Sequence, residues 1–336
     1  MGALPTIALV TQTTSMESLQ ARFGTKNAIR FRMKRAAVAE ADMQVGKFSR
    51  AGVDEELIED NAQNLSDAED LEEEDKVYQY NLKKLMNQLD LGYPVMKVNR
   101  KQIPNTWFDN CYAVVVYGRD GLVANVAKYA RGVPIIGVNP DHRRYDGILL
   151  PFAPKDVRRI LQKTIDNQSK INKVTMGKVS TNDGQEMFAF NDFYVGSKTH
   201  VSARYTIQQE MNSESQSSSG VILSTGSGAT GWMSSVFNMA NAIAGFCQSS
   251  AFQAPSFSPV DEKIFWAVRE PFLSKDSGID LTAGVLNRED ELIIGSRMAK
   301  DGVIFSDGIE SDYIEFNSGS IARFQVACEK ANLVVG

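Results

Sequence analysis

The run from Ala113 to Asn139, AVVVYGRDGLVANVAKYARGVPIIGVN, constrains the fold more than any other part of the chain. An unbroken apolar stretch, Ala113–Tyr117, ends in Gly118-Arg119-Asp120-Gly121. A helix is predicted from Leu122 to Ala130, and a second apolar stretch ends at Asn139. Strands apolar at every position are buried on both faces, and a short helix between two of them makes a parallel strand–helix–strand unit. The turn then sets Asp120 at the carboxyl end of a strand, beside the leading amides of a helix. Open α/β sheets bind their ligands at that edge.

The flanking segments extend the same alternation. Ile7 to Thr11 reads as a first strand. The long helical segment after it carries Arg22, Lys26, Arg30, Arg32, Lys34 and Arg35 on its polar side. Asp54 to Asp75 is a dense acidic block. Like charges so close repel, so the block is expected to be a solvated or disordered insertion, with an acidic docking site or packing on the basic helix as alternatives. Helical spacing returns from Val77 to Leu91 through Val77, Leu85, Met86 and Leu89, and Tyr93 to Val98 reads as a strand. Pro154 opens a helix with Val157, Ile160, Leu161, Thr164 and Ile165 on one face.

From about Val174 the period changes from helical to alternating. Met187, Ala189, Asn191, Phe193 and Val195 share one side of an extended segment. Val201, Ala203, Tyr205 and Ile207 share one side of the next, across a turn near Gly196. Short strands are predicted at Val221–Ser224, Ile264–Val268, Ile279–Ala283, Glu291–Gly295, Val303–Ser306 and Tyr313–Phe316, with one helix at Trp232–Phe246. The expected architecture is α/β followed by β, with a parallel-sheet domain over 1–170 and a β-rich, sandwich-like domain over 171–336.

Composition narrows the classes. At 336 residues, with 43% hydrophobic and 23% charged, the chain is long enough for two globular domains. A net charge of −5 argues against broad nucleic-acid binding. Cys111, Cys247 and Cys328 are scattered and odd in number, which suits a reducing compartment without a disulfide framework or zinc site. No apolar run approaches the roughly 20 residues of a membrane span, and no signal-peptide pattern opens the chain, so a cytoplasmic protein is expected. Two separated histidines, His142 and His200, support neither a histidine metal site nor a local triad. Arg143 and Arg144 beside His142 are phosphate-binding candidates or a solvated loop.

Three segments could carry chemistry. In the Gly118–Gly121 turn, both glycines free the backbone to approach phosphate. Asp120 there could accept a proton from a bound hydroxyl or hold a metal; alternatively the turn only reverses the chain. In Ser217–Trp232, SSSGVILSTGSGATGW, the hydroxyls of Ser224, Thr225, Ser227 and Thr230 accompany Gly226, Gly228 and Gly231. Trp232 there offers a flat face for a base. Asn191-Asp192 interrupts an apolar alternation, a polar pair that needs partners if buried or faces water at a strand end.

Taken together, these segments resemble the NAD kinase family, which is grouped with diacylglycerol kinases and phosphofructokinases. Gly118-Arg119-Asp120-Gly121-Leu122 is similar to the family's Gly-Gly-Asp-Gly-Thr turn, and Gly137-Val138-Asn139 to its Gly-Ile-Asn segment. Asn191-Asp192 resembles its Asn-Glu pair. Ser224-Thr225-Gly226-Ser227-Gly228-Ala229-Thr230-Gly231-Trp232 resembles Ser-Thr-Pro-Thr-Gly-Ser-Thr-Ala-Tyr, and Asp307-Gly308-Ile309 weakly echoes a late Asp-Gly-Gln. The order agrees over roughly residues 110–310.

The resemblance implies a Rossmann-like first domain, a dinucleotide-binding second domain and a return to the first domain at the C-terminus. It implies an ATP-dependent kinase that phosphorylates the 2′-hydroxyl of the adenosine ribose of NAD. Asp120 would be the base. Gly118, Arg119 and Gly121 would bind phosphate, with Mg²⁺ accompanying ATP and no protein metal site. Asn139, Asn191, Asp192, Thr225, Ser227, Gly228, Thr230, Gly231 and Trp232 would line the NAD site of a homodimer or homotetramer that binds neither nucleic acid nor membrane. Arg119 for glycine, Leu122 for threonine, Gly226-Ser227 for Pro-Thr and Ser219 for an acid depart from the family pattern. These departures keep two alternatives open: a kinase of a sugar, nucleoside or lipid, and a nucleotide-binding protein of weak or no activity.

Overall fold

The computed structural model describes residues 5–33, 35, 56–250 and 253–336, with the side chains of all of these except 56–68. In chain order the first half contains β1 (Thr6–Thr11), α1 (Ser15–Phe23), α2 (Glu56–Gln88), β2 (Val95–Asn99), β3 (Cys111–Tyr117), α3 (Asp120–Ala130), β4 (Ile135–Val138) and α4 (Val157–Ile165). The second half contains β5 (Ile171–Thr181), β6 (Glu186–Ala189), β7 (Asp192–Ser197), β8 (Ala203–Gln209), β9 (Asn212–Ser218), β10 (Val221–Thr225) and α5 (Trp232–Phe246). It ends with β11 (Ile264–Val268), β12 (Ala283–Leu286), β13 (Leu292–Ser296), β14 (Gly302–Ser306), β15 (Tyr313–Glu315) and β16 (Ile321–Val334).

The apolar run at β3 has a direct structural reason. Ala113, Val115 and Tyr117 pack with Tyr78 and Leu85 of α2, Leu89 just past its end, and Val157 and Leu161 of α4. Val114 and Val116 point the other way, onto Val123, Val126 and Ala127 of α3. Helices therefore cover both faces of the parallel strands β2-β1-β3-β4, as a wholly apolar strand requires.

This parallel sheet continues through β16 into antiparallel β13, β8 and β9, with β5 and β6 joined on β16. A separate six-stranded antiparallel sheet, ordered β12-β11-β10-β7-β14-β15, faces that antiparallel part. Phe193, Leu223, Trp266 and Ile304 from one sheet meet Tyr205, Ile207, Ile294 and Phe324 from the other in one sandwich core. The closing strand β16 pairs near its start with β13 and near its end with β4 (Leu333 to Ile135), so a single strand joins the two halves. The architecture is thus an N-terminal α/β domain followed by a β-rich one.

Four details differ from the sequence expectations. The segment 187–195 is two strands, because β6 stops at Ala189 and β7 starts at Asp192, which places Asn191 in the break. β9, with the sequence NSESQSS, has no apolar alternation to announce it; its buried side chains are Gln216 and Ser218. The strand expected at Ile279–Ala283 forms instead at Ala283–Leu286. The acidic block is the fourth. Residues 54 and 55 lie outside the described residues, but from Glu56 onward the chain is one helix.

Over 70–75 the carboxylates of that helix are paired with partners from elsewhere in the fold or along the helix, while Asp70 and Glu73 stay exposed. Glu72 is buried and binds Arg30 through two contacts of 2.7 Å, and the Thr14 hydroxyl donates to Asp75 at 2.8 Å. Asp70 and Glu74 pair with Arg144 and Arg119. Like-charge repulsion is local, and cations brought in by the fold cancel it.

Candidate functional site

The turn after β3 is built from the core upward. Leu122 enters the core below it, 2% exposed, and would meet a Cβ on Gly118 at 2.8 Å, so residue 118 can carry no side chain without a shift. Gly121 has nothing within 4 Å of the same position and faces open space. Asp120 and Gly121 head α3, where the first N–H groups of a helix have no intrahelical acceptors. One oxygen of Asp120 accepts the Leu149 N–H at 2.7 Å, which ties the loop after β4 to the turn. The other oxygen bonds nothing among the described residues.

Arg119 leans away from the turn. Its guanidinium donates to Glu74 at 2.9 Å and to the Tyr145 hydroxyl at 3.1 Å, lies 4.9 Å over the Tyr145 ring, and is half exposed. The Tyr145 hydroxyl in turn donates to Glu74 at 2.5 Å. Asn139, fully buried, donates to the Tyr145 carbonyl and accepts the Asp141 N–H, both at 2.9 Å. The Asn139 side chain thus shapes the loop that holds Arg119. Arg144 binds Asp70 through two 2.7 Å contacts, Arg143 pairs with Asp141, and His142 is exposed.

A second group of candidate residues gathers at the ends of β7, β10 and β14. The Asn191 carbonyl accepts the Thr225 N–H at 2.8 Å, and the Thr225 hydroxyl donates to the Phe190 carbonyl at 2.6 Å. Asp192 pairs across the sheet with Ser224. A Cβ on Gly228 would lie 2.3 Å from the Asn191 carbonyl oxygen, so the close approach that glycine allows is to the protein's own backbone. Beneath them, Asp307 accepts the backbone N–H groups of Phe190, Asn191 and Asp192 at 3.0, 2.6 and 3.3 Å.

Asp192 and Asp307 make an acidic pair. Burial and the Asp307 charge push the Asp192 carboxyl up to about 7, and its oxygens accept no hydrogen bond among the described residues. Burial also raises the Asp307 carboxyl, while Lys128 and the three N–H groups pull it back. Lys128 itself is 4% exposed and donates to the Ser306 hydroxyl at 2.9 Å, with Asp312 at 3.7 Å. Tyr129 also donates to Asp312. Burial lowers the Lys128 ammonium against the opposing pull of Asp307 and Asp312.

Lys128 lies eight residues after Asp120 on α3, about 12 Å along the helix axis. No hydrogen bond links Asp120 to Asn191, Asp192 or the segment 224–232; α3 is the connection between the two groups. Lys128 was not singled out in the sequence. Its only signal is a cation in a helix whose other polar side chains are few, Asp120 and Asn125 among them.

The rest of the Ser217–Trp232 segment divides. Ser227 is half-buried, and Thr230 and Gly231 are exposed ahead of α5. The face of Trp232 expected for a base is engaged by protein. Tyr194 stacks on the ring at 5.7 Å and 13°, and the Arg269 guanidinium lies 5.4 Å over it. Among the described residues no helix is long and apolar enough to cross a membrane, and no group of three or more His, Cys, Asp or Glu could hold a metal ion.

No protein-family model matches the chain, and neither does any curated protein compared by sequence. Solved structures do. An NAD kinase from Archaeoglobus fulgidus in complex with ATP superposes with a TM-score of 0.51 at 14% identity, covering 98% of this chain and 93% of that one. The yeast NADH kinase complexed with NADH gives a TM-score of 0.52 at 15% identity, covering 100% and 84%. At such identities the likeness establishes a shared fold along the whole chain.

Proposed function

We propose that this chain is an ATP-dependent phosphotransferase of the NAD kinase fold, with the 2′-hydroxyl of the adenosine ribose of NAD as acceptor and NADP as product. The observation that carries the reading is Asp120 at the head of α3. It has one carboxylate oxygen fixed by Leu149 and the other unengaged, at the carboxyl edge of the parallel strands. Phosphoryl transfer needs little from a protein beyond a placed base and positive electrostatics. Asp120 takes the hydroxyl proton as the ribose oxygen bonds to the γ-phosphorus, and the bond from that phosphorus to the bridging oxygen breaks to release ADP. The amides at Gly118 and Gly121, at the positive end of α3, face the phosphates.

Magnesium would enter with ATP, held chiefly by its phosphates. Asn191, Asp192 and Thr225 would form the acceptor side, with Asn139 shaping the loop beside the turn. Support from outside the chain is the shared fold with an NAD kinase and an NADH kinase. The test is NADP formation from ATP, Mg²⁺ and NAD by purified protein. Asp120→Asn, which keeps the volume and can still accept the Leu149 N–H, should cost about 10²- to 10⁴-fold in rate without loss of fold.

A second reading, nucleotide binding without catalysis, is favoured by Leu122, which puts a core side chain where a hydroxyl could face phosphate. Calorimetric binding of NAD with no phosphorylated product would select it. Product with a sugar, nucleoside or lipid but not with NAD would instead keep the chemistry and change the acceptor.

A further inference from the structure

At the far edge of the large sheet, the strands β8 and β9 and the loop 271–278 line a cavity of about 510 Å³. Antiparallel register sets Ser296 opposite Tyr205, and the next N–H, of Arg297, donates to the Arg204 carbonyl at 2.9 Å. Arg204 and Arg297 are therefore cross-strand neighbours. Tyr205 packs into the sandwich core, so strand alternation turns both arginines to the opposite face, with Ser217 beside Arg204 on β9. Like charges placed side by side on neighbouring strands repel. Yet neither arginine forms an ion pair among the described residues, whereas Arg288 and Arg323 are matched by Glu262 and Glu291. The chain has 41 aspartates and glutamates against 36 lysines and arginines, so two adjacent unmatched arginines do not reflect a shortage of carboxylates.

We propose that this cavity binds a small phosphate monoester whose carbon skeleton carries hydroxyls, of the sugar-phosphate class. Each unengaged group specifies one part of that ligand. Among the described residues no N–H of the Arg204 guanidinium is committed, Arg297 commits one, to the Ser215 hydroxyl at 3.2 Å, and the Ser217 hydroxyl has no partner. A carboxylate brings a single charge and two oxygens to such a set of donors. A phosphate monoester brings three oxygens and nearly two charges, enough to offset both guanidiniums. Asp276 on the lining accepts no hydrogen bond and pairs with no cation among the described residues, which leaves it to accept ligand hydroxyls. The Phe272 ring, 64% exposed, offers a flat apolar face to the C–H side of a sugar.

The wall is formed in advance. The Phe272 N–H donates to the Ser217 carbonyl at 2.9 Å and the Gly278 N–H to the Ser215 carbonyl at 3.0 Å, which lays the loop along the free edge of β9. The Ser277 hydroxyl closes the loop on the Phe272 carbonyl at 2.6 Å. The volume lies within the roughly 300–1,000 Å³ of small-molecule sites. β8 stands four strands from β3, about 19 Å across the sheet, so the site is apart from the Asp120 turn and does not rest on phosphoryl transfer.

The test titrates glucose 6-phosphate, glucose, inorganic phosphate and malate into the full chain by calorimetry. Glucose 6-phosphate is expected to bind more tightly than phosphate or malate, and glucose not to bind. Arg204→Ala and Arg297→Ala, both at exposed positions where folding is not at issue, should each weaken glucose 6-phosphate about tenfold, the loss of one charge-assisted contact. Asp276→Ala should weaken glucose 6-phosphate but leave inorganic phosphate unchanged, because the carboxylate meets the hydroxyls and not the anion. Asp120→Asn should leave binding unchanged, which separates this site from the proposed phosphotransfer centre. The proposal is overturned if glucose 6-phosphate does not bind, or if malate or phosphate binds as tightly. It is equally overturned if Asp120→Asn weakens glucose 6-phosphate while Arg204→Ala and Arg297→Ala do not.

Discussion

The turn after β3 and the outer face of the six-stranded sheet treat their polar groups in opposite ways. Around the turn, Arg119, Asn139, Arg144 and one oxygen of Asp120 are all committed to protein partners. On the sheet, Asp192 accepts no hydrogen bond among the described residues, and Lys198 and Arg269 have no ion pair there but lie over the rings of Tyr313 and Trp232. The first region is preorganised: its geometry is fixed before any ligand arrives, which suits a centre that must place one carboxylate. The second holds unspent interaction energy, which suits a surface where a ligand completes the pairing.

The largest expected effect comes from glycines that look alike in sequence. Gly228→Ala puts a Cβ 2.3 Å from the Asn191 carbonyl oxygen and 2.6 Å from the Ser224 hydroxyl. Backbone cannot yield as a side-chain tip can, so a loss of about 3 kcal/mol is expected in a denaturant titration. Gly121→Ala meets nothing within 4 Å and should leave stability unchanged or slightly higher, since alanine is the better helix former. Its effect should fall on donor KM if phosphate approaches that amide. Equal losses in the two variants would break the contrast between a packed β loop and an open turn.

Next in size is Lys128→Met, which preserves the stem but leaves Ser306 and Asp312 without their ammonium and removes the cation that offsets Asp307. A destabilisation of about 2–3 kcal/mol is expected, because one member of a buried charged group is deleted. As the residue joins α3 to the end of β14, hydrogen exchange should rise on both elements. Faster exchange on α3 alone would mean that Lys128 does not couple the halves.

The Asp192–Asp307 pair gives a smaller, pH-dependent effect. An ordinary aspartate has released its proton by about pH 4, whereas Asp192 in the fold holds it to about 7. Between those values the folded chain binds more protons than the unfolded one. Stability therefore falls as pH rises across that window and levels off above it. Asp192→Asn removes the ionisation and should be more stable than the parent by about 1–2 kcal/mol at pH 8, with little difference at pH 5. Parallel stability curves for the two proteins would show that Asp192 is not the group that titrates.

These regions also differ in how well the sequence announced them. β3 was legible because both its faces are buried, so Val114, Val116 and their neighbours had to be apolar in unbroken series. The strands of the sandwich core were legible from alternation, as at Phe193 and Val195. The acidic helix was not, because its partners Arg30, Arg119 and Arg144 lie 42, 45 and 74 residues from Glu72, Glu74 and Asp70. Trp232 was recognisable as an aromatic at a helix start, but its stacking partner Tyr194 belongs to a strand 38 residues earlier. Asp307 gave only a faint motif, although three backbone amides converge on it. Local pattern fixes which face is buried; it does not say which distant charge will sit beside a given side chain.

The smallest expected effect on stability asks whether the clamp on Arg119 is permanent. Glu74→Gln removes an ion pair whose guanidinium is half exposed, so stability should change by no more than about 1 kcal/mol. The cation–π contact with Tyr145 remains to hold the side chain near the loop. If Arg119 is a phosphate ligand restrained by Glu74, loss of that competing carboxylate should tighten ATP binding severalfold in calorimetry, with a steeper salt dependence than in the parent. Arg119→Ala should then weaken ATP binding, and combining it with Glu74→Gln should abolish the gain. An unchanged ATP affinity in Glu74→Gln would make Arg119 a strut between the acidic helix and the loop after β4. The amides of the turn would then be left to bind phosphate alone.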